Sequence, residues 1–331
     1  MSGKKVWFLA KVILAVTLVG VVVSKLQWEQ VRALLHRIEL GWFALSAGAF
    51  VLMSLLKAGQ YYVLIGGERV SYGKTVRTVI WQNAISNFIG TGVGIASYMT
   101  MLKVEQDVSL ARSGVAFIIT KFGDLLAIFL YLVVSAAVVW QEIVPLQWLT
   151  AVLSAMLLSG IAVFLLTVIW KNRFVDWVVG VCFRLRLTRF AIVEKGLNLL
   201  NALAQENRQS VFDRLRIGIL LSVLYMTATM GFALSGMRTF GVPVDAWAVI
   251  YVSALIQLVS FVPVQILGGL GVSEMTVVYL YGFFGIDQGE MAAVALGQRF
   301  VLYLLTILSL LYLPLDSLLY PSVVRDHSDD D

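Results

Sequence analysis

Uninterrupted apolar runs as long as a bilayer is thick constrain this chain more than any other feature. Residues 7–24, 42–65, 114–140, 148–170, 217–236 and 291–315 each approach or exceed the roughly 20 residues that carry an α-helix across hydrocarbon. Backbone amides find no water there, so each run must satisfy them within its own helix. The expected fold is an all-α polytopic membrane protein. Composition agrees: 60% of the 331 residues are AVILMFWYC and 14% are charged, against about 45–50% and about 25% in soluble domains. Residues 7–24 follow Lys4 and Lys5 like a signal peptide, but they lack a small-x-small cleavage site and precede further spans, which predicts a retained first helix.

Two more apolar segments are broken. Residues 76–102 contain Gly90-Thr91-Gly92-Val93-Gly94, and residues 247–284 contain Pro263 and Gly268-Gly269-Leu270-Gly271. Glycine supplies backbone conformations closed to other residues, so both segments are expected to be re-entrant hairpins. Charge favours this: with each hairpin returning to its own side and the N-terminus inside, 17 of the 25 lysines and arginines fall on the cytoplasmic face and 4 outside, whereas the alternative, in which the first segment crosses once and the N-terminus lies outside, scores 15 to 6. The order span, hairpin, span then occurs twice in opposite orientations. The expected architecture is six full spans plus two hairpins in an inverted repeat, a pattern that points to a transporter with its site near the midplane. The alternative is that the glycines merely let helices pack closely. The chain divides into an extra N-terminal span (7–24), repeat one (42–140), a linking span with a cytoplasmic amphipathic segment (148–216), repeat two (217–315) and a tail (316–331), all one membrane domain.

The net charge of +5 fits orientation and anionic headgroups better than nucleic acid. One cysteine, Cys182, and two distant histidines, His36 and His327, give no metal-ligand cluster, and no cofactor is expected. Neither GxxxxGK[ST] nor GxSxG occurs. Two stretches have surface character: Trp28, Val31, Leu35, Ile38 and Trp42 recur at helical spacing opposite Glu29, Arg32, Arg37 and Glu39, and nine cations lie between Lys171 and Arg216 among apolar residues. The second stretch is either an amphipathic cover on the cytoplasmic leaflet or a solvated connector.

Ionisable groups inside spans face a cavity or one another because hydrocarbon penalises them. Lys121 and Asp124, three apart, share a helix face and serve either a site or anchoring. Arg299 and Glu274 can pair, either as a functional couple or as a structural lock. Lys57, two turns from the inner end of its span, is expected to snorkel to the headgroups. Gln82, Asn83, Asn87, Gln257 and Gln265 add neutral donors and acceptors, and helices restarting near Ile95 and Ser273 would present free N–H groups to an anion. The expected site gathers these around a lipid phosphate, with Gly90, Gly92, Gly94, Pro263, Gly268, Gly269 and Gly271 as hinges and backbone donors.

Residues 261–314 resemble the C-terminal signature of the lysylphosphatidylglycerol synthase transmembrane-region family: a proline, a spacer, a glycine-rich turn, a glutamate and an arginine about 25 residues on. Pro263, Gly268, Gly269, Gly271, Glu274 and Arg299 match, while Leu267 replaces a proline of the pattern. Asn87, Gly94 and the Lys121 to Asp124 element resemble the first-half pattern, whose Pro-Gly-Arg is missing. The resemblance implies movement or presentation of a phospholipid, an aminoacylated phospholipid or a polyisoprenoid lipid. It also implies residence in the bacterial cytoplasmic membrane and lipid-modifying enzymes as partners, while the charge count predicts both termini inside. This sequence shows no soluble aminoacyl-transferase domain, so a stand-alone flippase is expected. The alternatives are a transferase using Asp124 or Glu274 as general base, and a scaffold recruiting enzymes through residues 171–216.

Overall fold

Apolar spans fold as helices because lipid leaves their backbones no other partner, and polar caps mark where some of the helices begin. Residues 38–66, 70–184, 208–260 and 271–312, with isolated positions between 185 and 207, are described by the computed structural model. They form α1 (Leu40–Ile65), α2 (Tyr72–Phe88), α3 (Thr91–Gln106), α4 (Leu110–Val138), α5 (Gln147–Trp170), α6 (Asn172–Arg184), α7 (Arg208–Thr239), α8 (Ala246–Ser260), α9 (Val272–Gly282) and α10 (Gln288–Leu310). No strand occurs among the described residues. Asp287 starts α10 by accepting the N–H groups of Gly289 and Glu290, both at 2.9 Å, and Asp245 starts α8 by accepting those of Trp247 and Ala248. The C-terminal end of α1 is met by the Arg112 guanidinium, whose Nε donates to the Ile65 carbonyl at 2.8 Å, placing a cation where the helix dipole is negative.

The protein is a multi-pass membrane protein. Helices α1, α4, α5, α7 and α10 each contain a segment long and apolar enough to cross a bilayer. Five of the six expected spans thus appear, within a few residues of their sequence bounds. The sixth, residues 7–24, lies outside the described residues, as do Trp28, Val31 and Leu35 of the first surface stretch, Pro263, Gln265, Gly268 and Gly269, most of 185–207, and the tail 316–331. Trp148 and Trp170 stand exposed at opposite ends of α5. Their separation of 22 residues spans about 33 Å, so both rings reach the interfacial belts of a bilayer about 30 Å thick.

The first broken segment is a helical hairpin, but its break is narrower than the glycines suggest. Only Gly90 leaves the helix, at φ 150°, and α3 restarts at Thr91, so Gly92 and Gly94 lie within its first turn. Of the three glycines expected to act as hinges, only Gly90 marks the break between the helices. Gly94 instead sets the spacing of the arms: a Cβ there would run into the Ser86 hydroxyl and stand 3.0 Å from the Gln82 carbonyl oxygen. The open end is tied by the Ser71 N–H donating to Gln106 Oε1 at 2.9 Å and by an Arg77–Glu105 ion pair at 2.7 Å. The arms of 17 and 16 residues reach roughly 25 Å, almost the thickness of the hydrocarbon.

Helix, paired helices, helix occurs as α1–α4 and again as α7–α10, and the packing between the halves is reciprocal. The two long helices α1 and α7 lie against each other at the centre; α2 packs on α10, and α8 packs on α4. Each half therefore buries the first arm of its hairpin against the last span of the other. One apolar core collects residues of α4, α7, α8, α9 and α10, a second those of α1–α4, and α5 flanks the bundle beside α4 with α6 attached.

Candidate functional site

Among the described residues, charged side chains inside the spans collect in two places, one for each half. In the first half, Lys57 and Gln60 lie on one face of α1 and Lys121 and Asp124 on one face of α4, the three-residue spacing placing each pair side by side. Lys57 Nζ is 2.6 Å from Asp124 Oδ2 and Lys121 Nζ is 3.8 Å from the same oxygen. The other carboxylate oxygen accepts Gln60 Nε2 and the Ser222 hydroxyl of α7, both at 3.3 Å, while Gln60 Nε2 also reaches Ser222 Oγ at 2.6 Å. Lys57 stands over the Tyr225 ring, 4.4 Å from its centroid.

Lys57 therefore does not snorkel. It is 7% exposed and Asp124 is 2% exposed, an ion pair removed from both water and headgroups. Desolvation of the ammonium is offset by the carboxylate, two hydrogen-bonded neighbours of that carboxylate and an aromatic face. The Lys121–Asp124 pair read from the sequence is present, but it is the longer of the two. Gly123 makes the cluster possible, since a Cβ there would press on the Ser222 side chain and separate α4 from α7.

In the second half, Arg299 of α10 meets the start of α9. Its Nε is 2.6 Å from Glu274 Oε1, and its Nη2 donates to Ser273 Oγ at 2.5 Å. Glu274 Oε2 accepts the Gly271 N–H at 2.6 Å and the Ser273 hydroxyl at 3.2 Å, so one carboxylate caps α9 and holds the guanidinium. Gly271, at φ 87°, supplies the backbone turn that aims its N–H at that carboxylate. A cavity of about 250 Å3 opens beside the pair between α7, α8, α9 and α10, and its polar lining includes Thr229, Ser253, Gln257, Ser273, Glu274 and Arg299.

The remaining expected site residues go elsewhere. Gln82 Nε2 reaches the Tyr61 hydroxyl and Asn83 Nδ2 the Ser54 hydroxyl, both at 3.4 Å, and Asn87 Nδ2 donates to Thr306 Oγ1 at 3.0 Å. These amides fasten α2 to α1 and α10, and none lines the cavity. Residues missed from the sequence are Gln60, Ser222, Tyr225 and Thr229, while Lys57 was singled out but assigned to the headgroups. A stripe of Ser54, Lys57 and Gln60 along α1 was the available signal; Ser222 and Tyr225 carry none, being ordinary residues of an apolar span.

The structure thus makes two clusters where one was expected, and α7 joins them. Ser222 and Tyr225 belong to the first, while Thr229, Phe232 and Ala233 line the cavity of the second. The Thr229 hydroxyl donates to the Tyr225 backbone carbonyl at 2.9 Å. Seven residues from Ser222 to Thr229 amount to about 10 Å along one helix face. The arrangement supplies buried charge pairs at both ends of a short polar stripe inside an otherwise apolar bundle.

Residues 8–309 match the model of the family described as the lysylphosphatidylglycerol synthase TM region. No curated protein and no solved structure matches the chain.

Proposed function

The chain belongs to the lysylphosphatidylglycerol synthase transmembrane-region family, and on that premise we propose that it carries a phosphate-containing lipid between leaflets, the headgroup passing through the bundle while its chains remain in the bilayer. The observation that carries this reading is the pair of desolvated ion clusters, one in each half, joined by the polar stripe of α7. Such groups are costly in a membrane and mark pathways for polar cargo. A headgroup crossing hydrocarbon must exchange hydration for protein charges and dipoles, and this stripe offers them over a path of about two helical turns.

In this reading Lys121 receives the phosphate: a third of its side chain remains exposed, whereas Asp124 beneath it is buried. Lys57 and Asp124 hold the receiving face in position. Arg299 meets the headgroup from the other half, with Glu274 fixing the guanidinium. The reciprocal packing of α2 on α10 and α8 on α4 lets each hairpin move with the opposite half, with Gly90 and Gly271 as turning points. In this reading both termini face the cytoplasm, which the lysine and arginine bias supports, and the protein resides in a bacterial inner membrane.

Reconstitution tests the proposal. The purified full chain is placed in vesicles carrying a trace of head-labelled phospholipid, and a membrane-impermeant quencher is added outside. Label from the inner leaflet is expected to become accessible at a rate proportional to the protein present. A rate equal to that of protein-free vesicles, across anionic, aminoacylated and polyisoprenyl-phosphate probes, would remove the proposal.

A further inference from the structure

The cavity between α7, α8, α9 and α10 is selective in volume, charge and hydrogen-bonding character. At about 250 Å3 it falls below the roughly 300 Å3 where drug-sized pockets begin, a size that suits one compact unit. Its charge is balanced, because Glu274 and Arg299 stand 2.6 Å apart and both line it. An entering phosphate would meet a carboxylate as closely as a guanidinium, and that guanidinium already directs Nε to Glu274 and Nη2 to Ser273. Desolvating an anion against a neutral pair is unfavourable.

The rest of the polar lining consists of hydroxyls and primary amides: Thr229, Ser253, Gln257, Ser273 and Gln298. Ser253, Gln257 and Gln298 are of types that both donate and accept, while the Thr229 and Ser273 hydroxyls already give their hydrogens to the Tyr225 carbonyl and Glu274; an ionised phosphate only accepts. They come from all four surrounding helices, so a bound group would be met from several directions. Between them stand Phe232, Ile256, Val277 and Leu302, apolar surface for the C–H faces of a ligand. Donors and acceptors from four helices, together with apolar surface around a compact space, suit a hydroxylated ring.

We propose that this cavity binds a single uncharged polyhydroxylated ring, of sugar or cyclitol size, borne on the headgroup of the transported lipid. The proposal rests on the carrier reading above and names the substrate class of the same protein. It orders the passage: Lys121, about two turns of α7 away, takes the phosphate at one stage, and the cavity takes the ring at another, with the phosphate at its mouth.

Phosphatidylinositol and phosphatidylmethanol with identical acyl chains test it, since both carry one phosphodiester charge and differ in the ring. The full chain is equilibrated with an equimolar mixture in detergent and the retained lipids are counted by native mass spectrometry. About tenfold preference for phosphatidylinositol is expected, the ratio that one or two net hydrogen bonds give. Gln257→Leu and Ser253→Ala are each expected to lower that preference severalfold with the melting temperature unchanged. Loss of the preference on adding free inositol shows that the ring alone is read; persistence shows that the lipid-linked ring is read, and either supports the proposal. Parity in the unaltered protein overturns it. Vesicle translocation separates this failure from that of the parent reading. Parity with both lipids translocated removes the ring site and leaves the carrier, whereas preference without translocation of any lipid leaves the ring site and removes the carrier.

Discussion

Arg299→Ala is expected to abolish lipid translocation and also to lower the melting temperature sharply. The reason lies in what remains: Glu274 is 4% exposed, and without the guanidinium its carboxylate would sit buried with no opposing charge. Breaking a buried pair in this way costs about 3–5 kcal/mol. Loss of transport by that variant would therefore not distinguish a functional role from a structural one. The double change Glu274→Gln with Arg299→Met does. A glutamine oxygen can still accept the Gly271 N–H that Glu274 now receives at 2.6 Å, and removal of both charges avoids the uncompensated one. Most of the stability should return, as replacement of a whole buried pair by neutral groups is often neutral, while translocation should stay absent. Thermal unfolding followed by tryptophan fluorescence and the vesicle assay read the two quantities separately. A double variant that translocates at the normal rate would make the pair a structural lock alone.

The two lysines of the first cluster should separate in the opposite way. Lys57→Met removes the ammonium 2.6 Å from Asp124 and leaves Lys121 at 3.8 Å. Its expected cost is about 3 kcal/mol, the low end of the range for a broken buried pair, because one cation remains. Lys121→Met leaves the short pair intact and removes a partly exposed partner, so its stability cost should stay below about 1 kcal/mol. Translocation should nevertheless fall at least as far in Lys121→Met as in Lys57→Met, since Lys121 is assigned the contact with phosphate. Equal melting losses in the two variants, or normal transport by Lys121→Met, would contradict this division.

Five spans were legible to within a few residues because lipid as a solvent imposes length and apolarity on each segment independently of its neighbours. The Glu274–Arg299 pair was also legible: each is an isolated charge in an apolar segment, 25 residues apart across one hairpin turn, and the resemblance marked both. Lys57 was not. Its partner lies 67 residues away, and the distance from a span end says nothing about which helix faces it. The amides of α2 misled for a related reason. Polarity in a span signals either a wet cavity or hydrogen bonds between helices, and Gln82, Asn83 and Asn87 make the second. Gly94 looked like a hinge because sequence records that a side chain is missing without showing what stands in its place, here α2 itself. The reciprocal packing of the halves follows no local pattern at all; it depends on contacts between helices far apart in sequence.

The claim on which the transport reading depends is that hydrated space, rather than dry helix packing, surrounds the second cluster. Cys182 is the only cysteine, so Cys182→Ser gives a background in which one introduced thiol can be followed. Gln257→Cys would place it in the cavity, and Met156→Cys, at a position 65% exposed on the apolar flank of α5, would place one in lipid. A charged, membrane-impermeant maleimide applied to the protein in vesicles should modify the thiol at 257 and spare the one at 156. A thiol at 257 as unreactive as the one at 156 would show the cluster to be sealed, and a sealed cluster carries no headgroup.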